Sequence, residues 1–271
     1  MRLASDLWHG LLDLLYPGRC AGCGVLYQGM LCDECRACLQ PIRAVACERC
    51  GAPLVGAEPP PGGCSACRNP RAFAGLRGAF LYGGPMREAI RALKFRGRIA
   101  AARTLASLLV WAVVNADSER LSLRRIPFRK VDLVCPVPLH PRRLRARGFN
   151  QAALLAKPLA SHLRATFDEG LLMRVRDTRP QPGLTARDRE RNMAGAFTAT
   201  EGLHPIVGAT VLVVDDVATT GATMSQCAAA LLGAGALRVW AVALARGVHL
   251  PDEEEPRHSS AARTTGTRRA V

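Results

Sequence analysis

The sequence lacks a long uninterrupted apolar segment. The N-terminal stretch, residues 3–16, is apolar on one side only, because Asp6, His9 and Asp13 interrupt it. A secretory signal needs a continuous apolar run and a small-residue cleavage site, so the sequence predicts neither a signal nor a membrane span. We expect a cytoplasmic protein in which residues 1–17 form an amphipathic helix that packs on the rest of the chain.

Acidic and aromatic residues are also scarce. The 271 residues include 22 aspartates and glutamates against 37 lysines and arginines, and only 5% are aromatic. The resulting net charge of +15 favours polyanionic partners, either a pyrophosphate ester or a nucleic acid. The remaining composition, 49% hydrophobic and 22% charged, is typical of a soluble globular protein, and the length allows one large domain and one small one.

Cysteine is rare beyond residue 67 but concentrated before it. Nine of the eleven cysteines lie between Cys20 and Cys67. In a chain without a secretory signal, such clustering favours metal binding over disulfides. A Cys-x-x-Cys turn brings two thiolates to one tetrahedral zinc ion at ~2.3 Å, and two such turns complete the ligand set. The four turns are Cys20/Cys23, Cys32/Cys35, Cys47/Cys50 and Cys64/Cys67.

These spacings predict a double zinc ribbon over residues 18–70. Its first ribbon would use the first two turns and its second ribbon the last two, although a cross-braced arrangement with exchanged turns also fits the spacing. Four thiolates leave no open position for water, so we expect a structural or adaptor role for the zinc. Thioredoxin-like redox chemistry is disfavoured because the surrounding βαβ pattern is missing. Cys38 is left over.

The most distinctive stretch is Val211–Met224, which reads VLVVDDVATTGATM. Its apolar start predicts a strand buried on both faces of a parallel sheet, and open α/β folds place ligands beyond the carboxyl ends of such strands. Asp215 and Asp216 would face sugar hydroxyls or a hydrated Mg²⁺. The competing interpretation is a buried strand that ends in a solvated acidic turn. The small residues that follow predict a phosphate-binding turn into a helix: Thr219, Thr220, Gly221, Ala222 and Thr223.

A second buried strand, residues 131–137, leads into a proline- and arginine-rich block. Four arginines in six residues precede a helix expected to start near Phe149 or Asn150. Prolines after a strand give a rigid turn, and guanidinium groups suit bidentate contacts to phosphates. Parallel topology places this loop beside the Asp215 loop. One loop would hold a terminal phosphate and the other a pyrophosphate.

Two further basic segments have open interpretations. Lys94 begins a cationic turn, residues 94–98, at the end of a predicted helix over residues 85–95, and it is either solvated or near a substrate phosphate. The arginine-rich residues 175–197 have three alternative interpretations. They form a mobile loop that closes over the site, a basic surface loop, or a contact for nucleic acid. Residues 249–271 have few apolar side chains, and we expect them to be disordered.

Val211–Met224 resembles the signature loop of type I phosphoribosyltransferases, which bind 5-phosphoribosyl-1-pyrophosphate (PRPP). The resemblance implies that Asp215 and Asp216 hold the ribose 2′- and 3′-hydroxyls and that the following loop holds the 5′-phosphate. It also implies the fold of residues 75–248, an α/β domain with a mostly parallel twisted sheet flanked by helices.

The wider pattern resembles the ComF family, phosphoribosyltransferase-like proteins linked to DNA uptake in competent bacteria. The resemblance covers approximately residues 10–248 and implies a double zinc ribbon followed by a phosphoribosyltransferase domain. Its matching segments are the cysteine module, ALKFRGR at 92–98, PVPLHPRRLRARGFNQ at 136–151 and RPQPGLTARDRERNMAGAF at 179–197. It implies a pyrophosphate loop and site lining formed by Pro136, Val137, Pro138, Leu139, Arg147, Asn150 and Gln151.

Two functions therefore stay open from the sequence. The first is a Mg²⁺-dependent enzyme of DNA uptake or nucleotide metabolism that transfers a phosphoribosyl group to a nitrogen acceptor. Asp215 and Asp216 would hold ribose and metal, and Arg147 and Lys94 would stabilise the pyrophosphate. The second is a non-catalytic PRPP-sensing adaptor that binds single-stranded DNA or a helicase. The acceptor base is unassigned.

The cysteine pattern gives a direct metal prediction. Because each ribbon uses four thiolates, purified protein should release about two zinc ions per chain to a strong chelator. Its first ~70 residues should unfold with that release, because small zinc modules draw their folding free energy from metal binding. Metal analysis by mass spectrometry measures the stoichiometry. Freshly purified protein without zinc would contradict the prediction.

Overall fold

A computed structural model describes residues 19–43, 46–54, 64, 67, 71–95, 97, 99–178 and 186–247. The helix predicted over residues 1–17 and the tail predicted over residues 249–271 lie outside the described residues. So do residues 179–185 of the arginine-rich segment.

The secondary structure of the described residues alternates between strands and helices. The α-helices and strands are α1 (Asp33–Ala37), β1 (Gly75–Leu81), α2 (Gly84–Phe95), α3 (Ala100–Val114), β2 (Leu133–Pro136), α4 (Pro141–Arg147), α5 (Gln151–Leu163), β3 (Thr166–Phe167), β4 (Leu172–Arg174), α6 (Ala186–Met193), β5 (Phe197–Ala199), β6 (Thr210–Ala218), α7 (Ala222–Gly233) and β7 (Arg238–Arg246).

Five of the strands form one parallel sheet in the order β1-β7-β6-β2-β3, and β4 and β5 form a separate antiparallel pair. The prediction of a parallel α/β fold is confirmed. Strand β6 lies at the centre of the sheet, and its apolar residues enter two different cores. Leu212 and Val214 pack in one core, whereas Val211 and Val213 pack in the other. This burial on both faces explains the apolar run without polar alternation.

The segment between the two cysteine groups covers the open edge of the sheet at β1. The backbone N–H of Ile42 donates to the carbonyl of Ala79 at 2.9 Å, and that of Leu81 donates to the carbonyl of Gln40 at 2.8 Å. An exposed edge strand presents unpaired N–H and C=O groups to other chains. The segment between the cysteine groups therefore pairs with the backbone of the edge strand β1, so the zinc module is joined to the larger domain by main-chain hydrogen bonds.

Three details of the sequence prediction were wrong. Asp215 and Asp216 lie within β6 and not after it, because β6 stays paired with β7 as far as Ala218. The arginine-rich block forms its own helix, α4, which starts with Pro141 and ends at Gly148, where φ is +82°. A proline in the first turn and a left-handed glycine at the end are common helix boundaries. The arginine-rich segment after residue 174 is partly helical, since α6 occupies its described second half.

Asp168 is a buried carboxylate that the sequence did not single out. It follows β3 and is 1% exposed, and it accepts hydrogen bonds from the N–H groups of Gly170 and Leu203, each at 2.8 Å. His204 lies 3.1 Å from it. Burial opposes the charge of Asp168, but these donors outweigh burial and lower its pKa. Asp168 thus fixes the loop that leads towards β6.

We expect Asp168→Asn to destabilise the fold by about 2 kcal/mol near neutral pH, because charged acceptors form the stronger hydrogen bonds. The folded pKa is below the unfolded one, so this contribution is present above the unfolded value near pH ~4 and is lost as pH falls further. Urea unfolding at several pH values measures it. The control is Asp132→Asn, which changes an exposed carboxylate that also accepts from a backbone N–H. Equal losses in both variants would contradict the assignment.

Candidate phosphoribosyl site

The loops after β2 and β6 lie side by side at the carboxyl edge of the sheet. The two strands are parallel neighbours, with Pro136 opposite Val214. The N–H of Val137 donates to the carbonyl of Val214 at 2.9 Å. The expected neighbourhood of the two loops therefore follows from the strand pairing, at the place where open parallel sheets bind ligands.

Asp216 is the centre of a chain of polar contacts at this edge. Its side chain is 2% exposed, and Lys94 from the last turn of α2 forms a salt bridge with its Oδ2. The amide Nε2 of Gln151, at the start of α5, donates to its Oδ1 at 3.2 Å. Arg147 donates in turn to Oε1 of Gln151 and lies over the ring of Phe95, 5.6 Å from its centroid. Helices α2, α4 and α5 thus meet β6 through one connected network.

Lys94 and Asp216 carry opposite charges, and Asp216 is buried while Lys94 is 21% exposed. Burial favours the neutral form of Lys94, but Asp216 and Asp215 outweigh it and raise the lysine pKa. Burial likewise opposes the charge of Asp216, but Lys94 outweighs it and lowers the carboxyl pKa. Burial together with the negative charge of Asp216 raises the pKa of Asp215. Lys94 lies within α2 and forms an ion pair with Asp216, so its interpretation as part of a solvated turn is wrong.

The turn between β6 and α7 has a conformation that requires glycine at residue 221. Gly221 has φ +78°, a left-handed conformation that glycine adopts without strain. A Cβ built there would lie 2.9 Å from Cδ2 of Leu76, so a larger side chain would also clash. Thr220 accepts from the N–H of Ala222 through its Oγ1 at 3.3 Å, and α7 begins at Ala222. Thr219 and Thr223 flank this helix start, whose N–H groups favour anions.

Asn150 and Gln151, predicted to line the site, have their amide groups committed to protein contacts. Asn150 is 6% exposed; its Nδ2 donates to the carbonyl of Val137 at 3.2 Å, and its Oδ1 accepts from the N–H of Ala152 at 3.1 Å. It therefore fixes the loop of Pro136–Leu139 and caps α5. Gln151 joins Asp216 to Arg147 in the same manner. Contact of either residue with PRPP stays a prediction.

Arg174 is a buried cation that the sequence prediction did not assign to the site. This residue of β4 is 7% exposed, its guanidinium lies 5.4 Å from the centroid of the Phe197 ring, and it donates to Oγ1 of Thr178. Asp215 is one of the charges that act on it. Only its place at the start of the arginine-rich segment could have signalled it. The antiparallel pair β4–β5 thus carries a buried cation whose pKa is affected by the charge of Asp215.

The eight predicted metal ligands form two groups of four. Within each group the sulfur atoms lie within 4.8 Å of one another. The Sγ atoms of Cys23 and Cys32 are 3.7 Å apart, and those of Cys47 and Cys67 are 3.8 Å apart. A tetrahedral zinc ion with Zn–S bonds of ~2.3 Å requires sulfur separations of ~3.8 Å, so the residues fit the metal. The groups are Cys20, Cys23, Cys32, Cys35 and Cys47, Cys50, Cys64, Cys67.

This grouping is sequential, so the cross-braced alternative is wrong. Cys38 is exposed and belongs to neither group. Backbone N–H groups point at the sulfur atoms, as in the bond from Cys32 to Sγ of Cys20 at 3.3 Å. Burial raises the pKa of Cys20, but such donors outweigh it and lower the pKa to about 6, which favours the thiolate that binds zinc.

Comparison with known proteins agrees with this architecture. Residues 11–68 match the model of the double zinc ribbon domain, and residues 150–261 match that of the phosphoribosyl transferase domain. Competence protein F of Haemophilus influenzae is 35% identical over 166 residues, which cover 60% of this chain and 70% of that protein. The DNA utilization protein YhgH of Salmonella typhimurium is 35% identical over 232 residues, which cover 84% of this chain and 97% of YhgH. The chain belongs to the ComF family.

More distant ComF relatives and structures extend the comparison. Competence protein ComFC of Bacillus subtilis is 27% identical over 217 residues, covering 76% of this chain and 79% of ComFC. A hypoxanthine phosphoribosyltransferase structure from Staphylococcus aureus has a TM-score of 0.31 at 11% identity, covering 54% of this chain and 72% of that one; this likeness is too weak to bear on the fold. Among the described residues, no helix has the length and apolarity needed to cross a membrane.

The buried pair of Lys94 and Asp216 gives a testable stability prediction. Lys94→Met should destabilise the protein by about 3 kcal/mol, because it leaves an uncompensated buried carboxylate. Combining it with Asp216→Asn should recover most of that loss, which a double-mutant cycle by chemical unfolding measures. Arg87→Met, on the exposed side of the same helix, is the control and should change stability little. Additive losses in the double variant would show that the two side chains do not interact.

Proposed function

We propose that this ComF protein binds PRPP with Mg²⁺ and transfers its phosphoribosyl group to a nitrogen acceptor in the cytoplasm. The observation that carries the proposal is the network of Lys94, Asp216, Gln151 and Arg147 beside the glycine turn at Gly221. It combines carboxylates, cations and a helix N-terminus within one sheet edge, which are the groups that a phosphorylated sugar with a pyrophosphate requires.

Each part of PRPP has a proposed partner in this arrangement. The turn of Thr219–Thr223 binds the 5′-phosphate through backbone N–H groups and hydroxyls. Asp215 and Asp216 accept hydrogen bonds from the ribose hydroxyls. The loop of Pro136–Leu139, with Arg147 at the end of α4, holds the pyrophosphate. Phosphoribosyl transfer develops positive charge on the ribose while pyrophosphate leaves, so catalysis depends on positioning and on stabilising the leaving anion.

Of the two acidic residues, Asp215 is the one proposed to bind Mg²⁺. Lys94 engages one oxygen of Asp216 and Gln151 the other, and the carboxylate keeps further lone pairs, so we assign Asp216 to the ribose hydroxyls and not to the ion. Asp215 is the more exposed carboxylate and is suited to reach a hydrated ion. Protein sites for Mg²⁺ use one or two carboxylates together with waters and substrate phosphates. The ion would neutralise charge on the pyrophosphate, and Lys94 and Arg147 would supply the protein's own cations nearby.

A second function has support from α4. Arg142 and Arg145 are exposed on this helix, directly beside the proposed pyrophosphate loop. Exposed guanidinium groups suit the phosphates of a nucleic acid. The relatives named competence protein F and DNA utilization protein YhgH make DNA a reasonable partner to test. We propose as the alternative an adaptor that senses PRPP and binds single-stranded DNA or a helicase without catalysing transfer.

We expect PRPP to bind the wild-type protein more tightly with Mg²⁺ than without it. Asp215→Asn combined with Asp216→Asn should weaken PRPP binding at least about tenfold, because the carboxylate acceptors proposed for the ribose and the ion are lost. Isothermal titration measures both effects. The matched control, Asp117→Asn with Asp132→Asn, removes the same charge from exposed positions. Absence of wild-type binding, or equal affinity in the two double variants, would contradict the proposed site.

Turnover separates the enzyme from the adaptor. The enzyme should release pyrophosphate from PRPP when the correct base is added, in an assay across purine and pyrimidine bases. The adaptor should bind PRPP without release, and its affinity for single-stranded DNA should fall steeply with salt. Arg142→Glu with Arg145→Glu should weaken DNA binding but leave PRPP affinity within about twofold, since both side chains are exposed. If the affinity for single-stranded DNA changes neither with salt nor with this charge reversal, α4 is excluded as the DNA contact.

A further inference from the structure

The second cysteine group packs directly against the backbone of β1. Gly51, which follows Cys50, has φ +65°, and a Cβ built on it would lie 2.3 Å from the carbonyl oxygen of Leu76. The N–H of Leu76 donates to the carbonyl of Arg49 at 3.0 Å. No side chain fits between this metal-binding turn and the strand. The second zinc site and the sheet therefore form one rigid contact.

Two buried arginines of the sheet approach this second group. Arg77 of β1 is 4% exposed, and its Nη2 donates to the carbonyl of Glu48 at 2.6 Å. Arg246, the last residue of β7, is 1% exposed, and burial lowers its pKa while the thiol groups of Cys50, Cys64 and Cys67 act in the opposite direction. Within the described part of the chain, its Nε and Nη1 have no hydrogen-bond partner. A buried cation in this state needs a nearby negative charge.

The packing around Arg246 reserves space for its side chain. A Cβ built on Gly78 would lie 2.6 Å from Cβ of Arg246 and 3.0 Å from Cδ1 of Ile42. Gly78 therefore makes room for an arginine stem inside the sheet. Burying an arginine without a compensating charge is costly in free energy. Space kept for a buried arginine therefore indicates that its guanidinium pairs with a negative charge.

A zinc ion with four thiolates supplies the missing negative charge. Two positive charges from the ion and four negative charges from the thiolates leave a net charge of about −2. Arg77 and Arg246 together carry the opposite charge. Cations around a metal centre orient its ligands and strengthen its binding. The first cysteine group packs instead on α2, where a Cβ on Gly22 would lie 3.0 Å from Cβ of Pro85.

The backbone of Arg246 connects this charge pair to the proposed phosphate turn. The carbonyl of Arg246 accepts from the N–H of Tyr82 at 2.8 Å, and the N–H of Gly247 donates to the carbonyl of Ala218 at 2.9 Å. Ala218 pairs with Arg246 in the register of β6 and β7. Thr219, the first residue of the turn, follows directly. A shift of Arg246 would thus be transmitted to the turn by one hydrogen bond.

We propose that Arg246 is a positioning residue that couples zinc binding at Cys47, Cys50, Cys64 and Cys67 to the order of the turn at residues 219–223. Zinc in the second site holds Arg246, and Arg246 holds the end of β6. The first site stabilises its own ribbon without this coupling. The turn's role in binding phosphate rests on the proposed function, but the coupling itself does not, because zinc release and amide exchange report on it without PRPP.

The first test measures zinc release from the full-length holoprotein to a chromogenic chelator. Arg246→Met should release one of its zinc ions at least about tenfold faster than wild type, because the counter-charge of the second site is lost. The other ion should leave at the wild-type rate. Arg246→Lys keeps the cation and should restore slow release. The control is Arg238→Met, an exposed arginine at the start of the same strand.

The second test measures amide hydrogen exchange in residues 219–223. Cys64→Ser, which empties the second site, should speed exchange there, and Cys23→Ser in the first site should leave it unchanged. If Arg246→Met does not fold, Gly78→Ala takes its place, since it displaces the arginine stem and should also speed zinc release. Unchanged zinc release in these variants, or equal exchange in the two cysteine variants, would overturn the coupling. If zinc release and amide exchange change as predicted but the wild-type protein does not bind PRPP, the proposed function is overturned and the coupling is not.

Discussion

A carboxylate buried at the carboxyl end of the central strand requires a cation, and Lys94 supplies it to Asp216. Without this pair the apolar strand β6 could not carry an ionised group into the layer between sheet and helices. The same constraint fixes the positions of α2, through Lys94, and of α5, through Gln151. The candidate site is therefore built from interactions that also join the helices to the sheet, so stability and ligand binding are expected to depend on the same side chains.

The zinc ribbons belong to this architecture because they complete the sheet. Gln40 and Ile42 hydrogen-bond to the edge strand, and the second cysteine group packs on the backbone of β1. Small zinc modules draw their folding free energy from the metal. Here that free energy also supports the larger domain, since the open edge of β1 and the buried arginines Arg77 and Arg246 both meet the ribbon. Under the proposed coupling, zinc in the second site would in this way influence the turn at residues 219–223.

Much of the fold was predictable from short-range patterns. The apolar run before Asp215 predicts the central parallel strand, and the paired cysteines predict two zinc sites, whereas the sequential grouping of the cysteines is decided by the structure. Contacts between distant segments were not predictable in the same way. Nothing in the spacing of Lys94 and Asp216 signals their salt bridge, and the use of both amide ends of Gln151 depends on how α4 and α5 meet. Pro141 and Gly148 are ordinary helix-boundary residues, so the separation of α4 from α5 could have been predicted from the sequence.

The central claim is that the carboxyl edge of the sheet binds PRPP. Amide hydrogen exchange on the full-length zinc-loaded protein, with PRPP and Mg²⁺ added and omitted, tests it most directly. Protection is predicted at residues 136–139 and 219–223, the two loops that the pairing of β2 and β6 places together. Inorganic pyrophosphate should protect the first loop more than the second. Saturating PRPP that protects neither loop, or protects only the zinc ribbons, would contradict the account.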